Sequence, residues 1–185
     1  VKTCTATLKS AAAYSQSRPH ITVKLDKESH DDYERRTWRN KLHVDENGIV
    51  NIPGMSLKMA LDRAASLLSI KIPGRRNATY TKHFVSGVLV LENAPIGITK
   101  DEPQEEWVYV NADGVRGSGK RVWRCFPLIP EWQADVNFYL ADETITESVF
   151  EQVLAEAGKF VGIGRFRPQN GGFKGRFQVV KTTWS

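Results

Sequence analysis

Apolar and polar positions alternate strictly at two places in this chain. Near its start, Cys4, Ala6 and Leu8 take one side of an extended segment and Thr3, Thr5 and Thr7 take the other. Further on, Trp132, Ala134, Val136, Phe138 and Leu140 share a face opposite Gln133, Asp135, Asn137 and Tyr139. A period of two marks a strand with one buried face, so strands are expected over 1–8 and 132–140. Two other stretches switch to helical spacing. Leu57, Leu61, Ala64, Ala65 and Leu68 line one side of a helix over 55–69, opened by Pro53-Gly54 and stopped by Pro73-Gly74. Val149, Phe150, Val153, Leu154 and Ala157 line a second, capped by Thr144 or Thr146, with Glu147 and Glu151 in its early turns and Gly158 as terminator. The apolar run at 84–92 reads as a strand, and 175–182 as the last one. Short strand-like pieces fall at 20–25 and 49–52, the latter after a turn at Glu46-Asn47-Gly48.

The resulting order is strand, helix, strand, strand, helix, strand. That is the α+β, ferredoxin-like (RRM-like) βαββαβ arrangement also used by RNA-recognition modules. It is interrupted by insertions at about 9–53 and 93–130, within one domain over 1–185. Within the first insertion, 27–41 is dense in charge and reads as a loop or short helix standing off the core. Within the second, Trp107 and Trp123 are expected to pair across a β-hairpin.

Charge adds an asymmetry that the hydrophobic pattern does not show. The formal net charge is only +5, but from Glu131 to Glu156 there are seven acids and no base, while from Gly158 to Ser185 there are six bases and no acid. Clustered basic residues are the electrostatic footprint of a nucleic-acid binder. An acidic segment beside a basic one equally suits head-to-tail assembly of copies, which makes filaments rather than closed dimers. Cys4 and Cys125 fit no metal spacing and read as reduced structural residues of a cytoplasmic protein. No metal, cofactor, signal peptide or membrane span is expected.

The basic C-terminal segment is also rich in glycine. Gly162, Gly164, Gly171 and Gly172 alternate with Arg165, Arg167, Lys174 and Arg176. Glycine lets a backbone come close to a ligand and take φ > 0, and arginine presents a planar, permanently charged fork to phosphate. Arg75, Arg76 and Lys82, interleaved with Tyr80 and His83, suit single-stranded nucleic acid: bases stack on rings while cations follow phosphates. Lys58 stands near a helix N-terminus, a natural anion position. Gly114 to Arg121 nearly spells a phosphate-binding P-loop, but Arg121 replaces the hydroxyl residue and a strand-like segment follows instead of a helix. Arg116, Lys120 and Arg121 are therefore read as a basic hairpin tip. Trp38, between Arg36 and Arg39, suits either a stacked base or local packing. His20, His30, His43 and His83 show no spacing that singles out a general acid or base.

Three features together resemble the RAMP superfamily of CRISPR proteins: the βαββαβ order, the helix start Ile52-Pro53-Gly54-Met55-Ser56-Leu57-Lys58, and the glycine-rich loop before the last strand. Within it the chain is most similar to the backbone subunits that coat CRISPR RNA in effector complexes. The resemblance implies that 93–130 is a β-hairpin thumb clamping over the RNA. It implies guide RNA, copies of the same chain and other effector subunits as partners. It also raises Asp31 or Asp32 as candidate catalytic residues, because RNA-cleaving members use an aspartate in the loop before that helix. The charge density around Asp31 and Asp32 favours a solvated surface instead. The expectation is sequence-nonspecific binding of single-stranded RNA by a repeating subunit. The alternatives are a RAMP-type endoribonuclease, or a phage-encoded subunit mimic that blocks a host complex through protein contacts.

Overall fold

In the computed structural model, which describes residues 1–185, strand β1 (Lys2–Ser10) lies between two antiparallel partners. On one side is β8 (Gln133–Leu140), with Cys4 opposite Phe138 and Ala6 opposite Val136; on the other is β9 (Phe177–Trp184), with Cys4 opposite Trp184. The short β4 (Val88–Leu89) pairs with the far edge of β8, giving the order β4-β8-β1-β9 with every neighbouring pair antiparallel. The alternation read from the sequence sets this register. Cys4, Ala6, Leu8, Ala134, Val136, Phe138 and Leu140 are all buried. On the other face Thr5 Oγ1 donates to Asn137 Oδ1 at 2.8 Å and Thr7 Oγ1 to Asp135 Oδ1 at 2.6 Å. A slip of one residue would exchange the two faces.

Helices α2 (Gly54–Leu68) and α4 (Glu147–Glu156) place Leu57, Leu61, Ala64, Phe150, Val153 and Leu154 in the same apolar cluster as the inward side of that sheet. Phe150 sits among aromatic rings from three other elements. Its centroid is 5.3 Å from Phe138, 5.5 Å from Trp184 and 6.3 Å from Phe84. Thr146 caps α4 by accepting from Val149 N. At the start of α2, Asn93 Oδ1 accepts from Gly54 N at 3.0 Å, and a Cβ at Gly54 would lie 2.6 Å from the Glu92 carbonyl oxygen. The glycine there is required by close approach of the chain.

Several expectations are corrected. The run at 84–92 is not one strand: its first four residues belong to helix α3 (Thr81–Gly87), only Val88 and Leu89 pair as strand, and the rest is irregular. Within that helix Phe84 and Gly87, three residues apart, are the buried positions, so helical period wins over an apolar run too short to decide by itself. Helix α2 ends at a left-handed Ser69, before Pro73-Gly74, which forms a later turn. Gly158 does not terminate α4. It continues in a π-type turn, Ala157–Val161, with Gly162 at φ 69 after it. The last strand begins at Phe177. Residues 20–25 form no strand. Trp123 faces Tyr109 across the hairpin, at 5.3 Å between centroids, while Trp107 lies opposite Cys125.

The two insertions build structure with each other. Strand β3 (Ile49–Ile52) pairs with β5 (Ala94–Thr99). Strand β2 (Tyr14–Ser15) joins β7 (Arg121–Ile129) and β6 (Gln104–Asn111) in a second sheet, with β7 central. Helix α1 (His30–Thr37) and the 3₁₀ turn Trp38–Lys41 do not stand off the core: Trp38 is buried, and so are Glu34 and Lys41. Lys41 Nζ donates to Glu34 Oε2 and to the Cys125 carbonyl, both at 2.6 Å, and Cys125 N donates to Glu34 Oε2 at 2.9 Å. This charged clip ties the first insertion to β7. No helix is long and apolar enough to cross a membrane.

Both cysteines are free and buried. Burial pushes the Cys4 thiol up to about 12, with Glu151 and Glu147 adding to it, and the Cys125 thiol up to about 11. Thiolate is the reactive form, so neither should react with a disulfide reagent at a pH of about 8 until the chain is unfolded. Stoichiometric labelling of the native protein would contradict the burial described here.

Candidate nucleic-acid interface

The glycine-rich loop between α4 and β9 is a folded object. Arg165 N donates to the Ser15 carbonyl and Gly175 N to that of Ala13, each at 2.8 Å, so the loop is laid along β2 and the residues before it. It also closes on itself, through Ile163 N to Gly175 O at 3.0 Å and Lys174 N to Phe166 O at 3.0 Å. The glycines serve these contacts. A Cβ at Gly164 would meet the Ser15 carbonyl oxygen and the Tyr14 ring at 2.4 Å, at Gly172 the Phe166 oxygen at 1.9 Å, and at Gly175 the Ile163 oxygen at 1.8 Å. Gly162 would meet the Pro168 ring at 2.7 Å, and only Gly171 is open. The close approach expected toward a ligand is thus made by the chain to itself at Gly162, Gly164 and Gly172.

The loop's cations divide into two groups. Arg165 and Lys174 both form ion pairs with Glu106 of β6, and the Arg165 guanidinium lies 4.1 Å from the centre of the Phe126 ring. Burial lowers the pKa of Arg165 from the ordinary guanidinium value, against the opposing pull of Glu106. These two residues, expected to hold phosphate, pin the loop to the second sheet. Arg167 and Arg176 are half-buried. Arg167 Nη1 donates to Gly164 O at 3.0 Å and Arg176 Nε to Lys159 O at 3.1 Å.

The loop presents two aromatic side chains that sequence reasoning passed over. Phe166 and Phe173 are exposed by 40% and 60% yet touch edge to face, with centroids 5.2 Å apart. Phe166 holds φ 56, a left-handed conformation rare for a bulky residue. The available signal was phenylalanine alternating with arginine, lysine and glycine in 164–177. Beside the loop, a groove of about 440 Å³ runs along α2, its lining including Met59, Arg63, Gly164, Arg167, Gln169 and one carboxylate, Asp62.

The other expected residues fall elsewhere. Lys58 does not stand free: its ammonium donates to Asp62 Oδ1 at 2.5 Å and to the carbonyls of Phe84 and Val85 at 2.8 and 3.0 Å, linking α2 to α3. Arg75, Arg76 and Lys82 are exposed, belong to no ion pair, and lie outside the α2 groove. Arg116 and Lys120 are exposed at the hairpin tip, where Asp113 accepts from Val115 N and Ser118 Oγ in a tight turn between antiparallel strands. Arg121 donates to Tyr109 O at 3.2 Å. Asp31 and Asp32 occupy the exposed first turn of α1, Asp32 paired with Arg35 at 2.9 Å. No group of three or more histidine, cysteine and acidic side chains is gathered to hold a metal. Part of the acidic 131–156 segment is engaged within the chain: Glu151 accepts from Thr182 and Trp184, and Glu156 pairs with Lys159.

No family model matches the sequence, and no curated protein matches it. Solved structures do. A chain of the type III-B Cmr-beta complex bound to cognate target RNA superposes with a TM-score of 0.56 at 12% identity, over 99% of this chain and 60% of that one. The chain thus spans less than two thirds of that relative's length. Cmr6 from Pyrococcus furiosus superposes with a TM-score of 0.52 at 13% identity, over 97% of this chain and 99% of that one. At such identities the likeness is one of architecture, and it establishes that the chain shares the α+β fold of these two structures.

Proposed function

We propose that this protein is a single-domain RAMP-type subunit that binds single-stranded RNA, a guide RNA in particular, without strong sequence preference. The strand order β4-β8-β1-β9 supports reading its core as ferredoxin-like. The observation that carries the functional reading is the exposed Phe166–Phe173 pair on a loop braced from behind by Glu106. Aromatic faces held rigidly among cations stack successive bases whatever their identity. Arg167 and Arg63, which line the α2 groove, and Arg176, bonded to the Phe173 carbonyl on the loop, meet the phosphates. Arg75, Arg76 and Lys82 beyond α2, and Arg116, Lys120 and Arg121 on the thumb-like hairpin, extend the contact. The Cmr-beta relative was solved with target RNA bound, which supports RNA and effector-complex subunits as partners. Copies of the chain arranged head to tail would use the unpaired part of the acidic segment against the basic loop.

Anisotropy of a labelled oligouridylate tests this. With about six phosphates neutralised, a tenfold rise in salt should weaken binding by roughly four powers of ten on a single strand. Stacking is worth about 1–3 kcal/mol per base, so F166A/F173A should bind roughly a hundredfold more weakly, with the salt slope unchanged. Absence of binding at low salt, or parental affinity in the double variant, would refute the proposal. If RNA that co-purifies from cells carries repeat-derived sequence, it is a guide.

A further inference from the structure

On the other side of the glycine-rich loop, an open cleft of about 760 Å³ separates the first insertion from the β6–β7 hairpin. It shares no lining residue with the α2 groove; the loop reaches both, Arg165 facing the cleft and Gly164 and Arg167 the groove. Five permanent cations line it: Arg18, Lys24, Lys41, Arg124 and Arg165. One carboxylate lines it, Glu34, already held by Lys41 and by Cys125 N. Arg165 is paired with Glu106. Arg18, Lys24 and Arg124 have no carboxylate partner anywhere in the chain. Arg124 donates through Nη2 to Ala112 O at 2.6 Å, but its Nε is buried without an acceptor. A buried donor left unpaired is rare and calls for a ligand or water.

We infer that this cleft is an anion site for a phosphate monoester, supplied either by the phosphorylated end of a nucleic-acid strand or by a free nucleotide. Charge decides for the monoester. Three unpaired cations exceed the single charge of an internal phosphodiester, whereas a terminal phosphate carries close to two near neutral pH. The volume suits a nucleotide-sized ligand. The rings decide against base recognition. Phe126 is covered by Lys41 and Arg165, at 4.3 and 4.1 Å from its centroid, and Lys24 and Arg36 approach Tyr33 at 5.9 and 5.8 Å. Cations therefore crowd both rings that line the cleft, so the site reads charge. His20 and His30 also line it. His30 Nε2 donates to Trp123 O at 2.7 Å, and His20 Nδ1 is bonded to Thr22 Oγ1 at 2.9 Å, so each keeps one ring nitrogen uncommitted.

Calorimetry on the full chain with inorganic pyrophosphate and with AMP is the test. The Arg18 and Lys24 side chains make no hydrogen bond that holds the fold, so R18Q/K24Q should fold normally, with an unchanged circular dichroism melt. It should bind pyrophosphate about tenfold more weakly, as expected for losing charge-assisted contacts at a half-open site. Short oligouridylates with a 5′-phosphate or a 5′-hydroxyl identify the source. Tighter binding of the phosphorylated strand, lost in R18Q/K24Q, assigns a strand end; equal binding of the two strands while AMP still binds assigns a free nucleotide. F166A/F173A should lose strand affinity and keep pyrophosphate affinity, which separates this site from the RNA groove. Failure of both pyrophosphate and AMP to bind at low salt, or equal binding to parent and R18Q/K24Q, would overturn the inference.

Discussion

Replacing Gly175 by alanine is expected to destabilise the protein by more than about 4 kcal/mol, the range reached only when a substitution breaks something specific. Its φ is 74, and the added Cβ would lie 1.8 Å from the Ile163 carbonyl oxygen and 2.8 Å from the carbonyl carbon. Both are backbone atoms of a segment hydrogen-bonded to Gly175 itself, so neither yields by a rotamer change. In a chain of this size such a loss lowers the melting temperature by roughly 8–16 °C. Gly171→Ala is the control. Gly171 has φ 80, but an added methyl there would meet nothing within 4 Å, leaving only the left-handed penalty of about 1–2 kcal/mol. Thermal melts of the two variants decide: equal shifts would mean that the loop is not packed as described. Because the loop carries Phe166 and Phe173, Gly175→Ala should also lose RNA affinity, whereas Gly171→Ala should retain it.

Glu34→Ala is expected to cost about 3–5 kcal/mol, the penalty for removing one partner of a buried ion pair. The side chains of Glu34 and Lys41 are 5% and 8% exposed. Without the carboxylate, the Lys41 ammonium keeps only the Cys125 carbonyl and the Phe126 ring, and Cys125 N loses its acceptor. Replacing both residues by methionine removes the stranded charge along with its partner. That variant should lie within about 1–2 kcal/mol of the parent, or above it. Urea denaturation of the single and double variants measures the difference. A Glu34→Ala loss below about 1 kcal/mol would place the pair with ordinary surface ion pairs.

The contrast between these two sites shows how far the sequence could be read. Strands β1 and β8 and helices α2 and α4 were legible because each writes its buried face in its own period, two or about 3.6, over several turns or pleats. The cap of α4 was legible as Thr144 or Thr146 for a similar reason, since the hydroxyl acts on a near neighbour along the chain, and the structure gives it to Thr146, which accepts from Val149 N. Helix α3 was not, because a short, mostly apolar run at 84–92 fits either element, and the choice fell to packing such as Phe84 stacking on Phe150. The pairing of β3 with β5 and of β2 with β7 was hidden as well. These contacts join segments far apart in the chain, and neither short strand has an alternation of its own.

The candidate interface divides along the same line. The sequence by itself determined that basic residues, glycines and aromatic rings are concentrated after Gly158, because composition is local. Only the tertiary structure decided which of them are free. Glu106 comes from an acidic stretch far upstream, and folding brings it to Arg165 and Lys174. Asp62 and two α3 carbonyls engage Lys58 in the same way. A charge's availability depends on what lies within a few ångströms of it in space, and linear order does not carry that distance. For the same reason Phe166 and Phe173, separated along the loop, become one exposed pair, and Arg18, Lys24 and Arg124, from two separate insertions, come to face a single cleft.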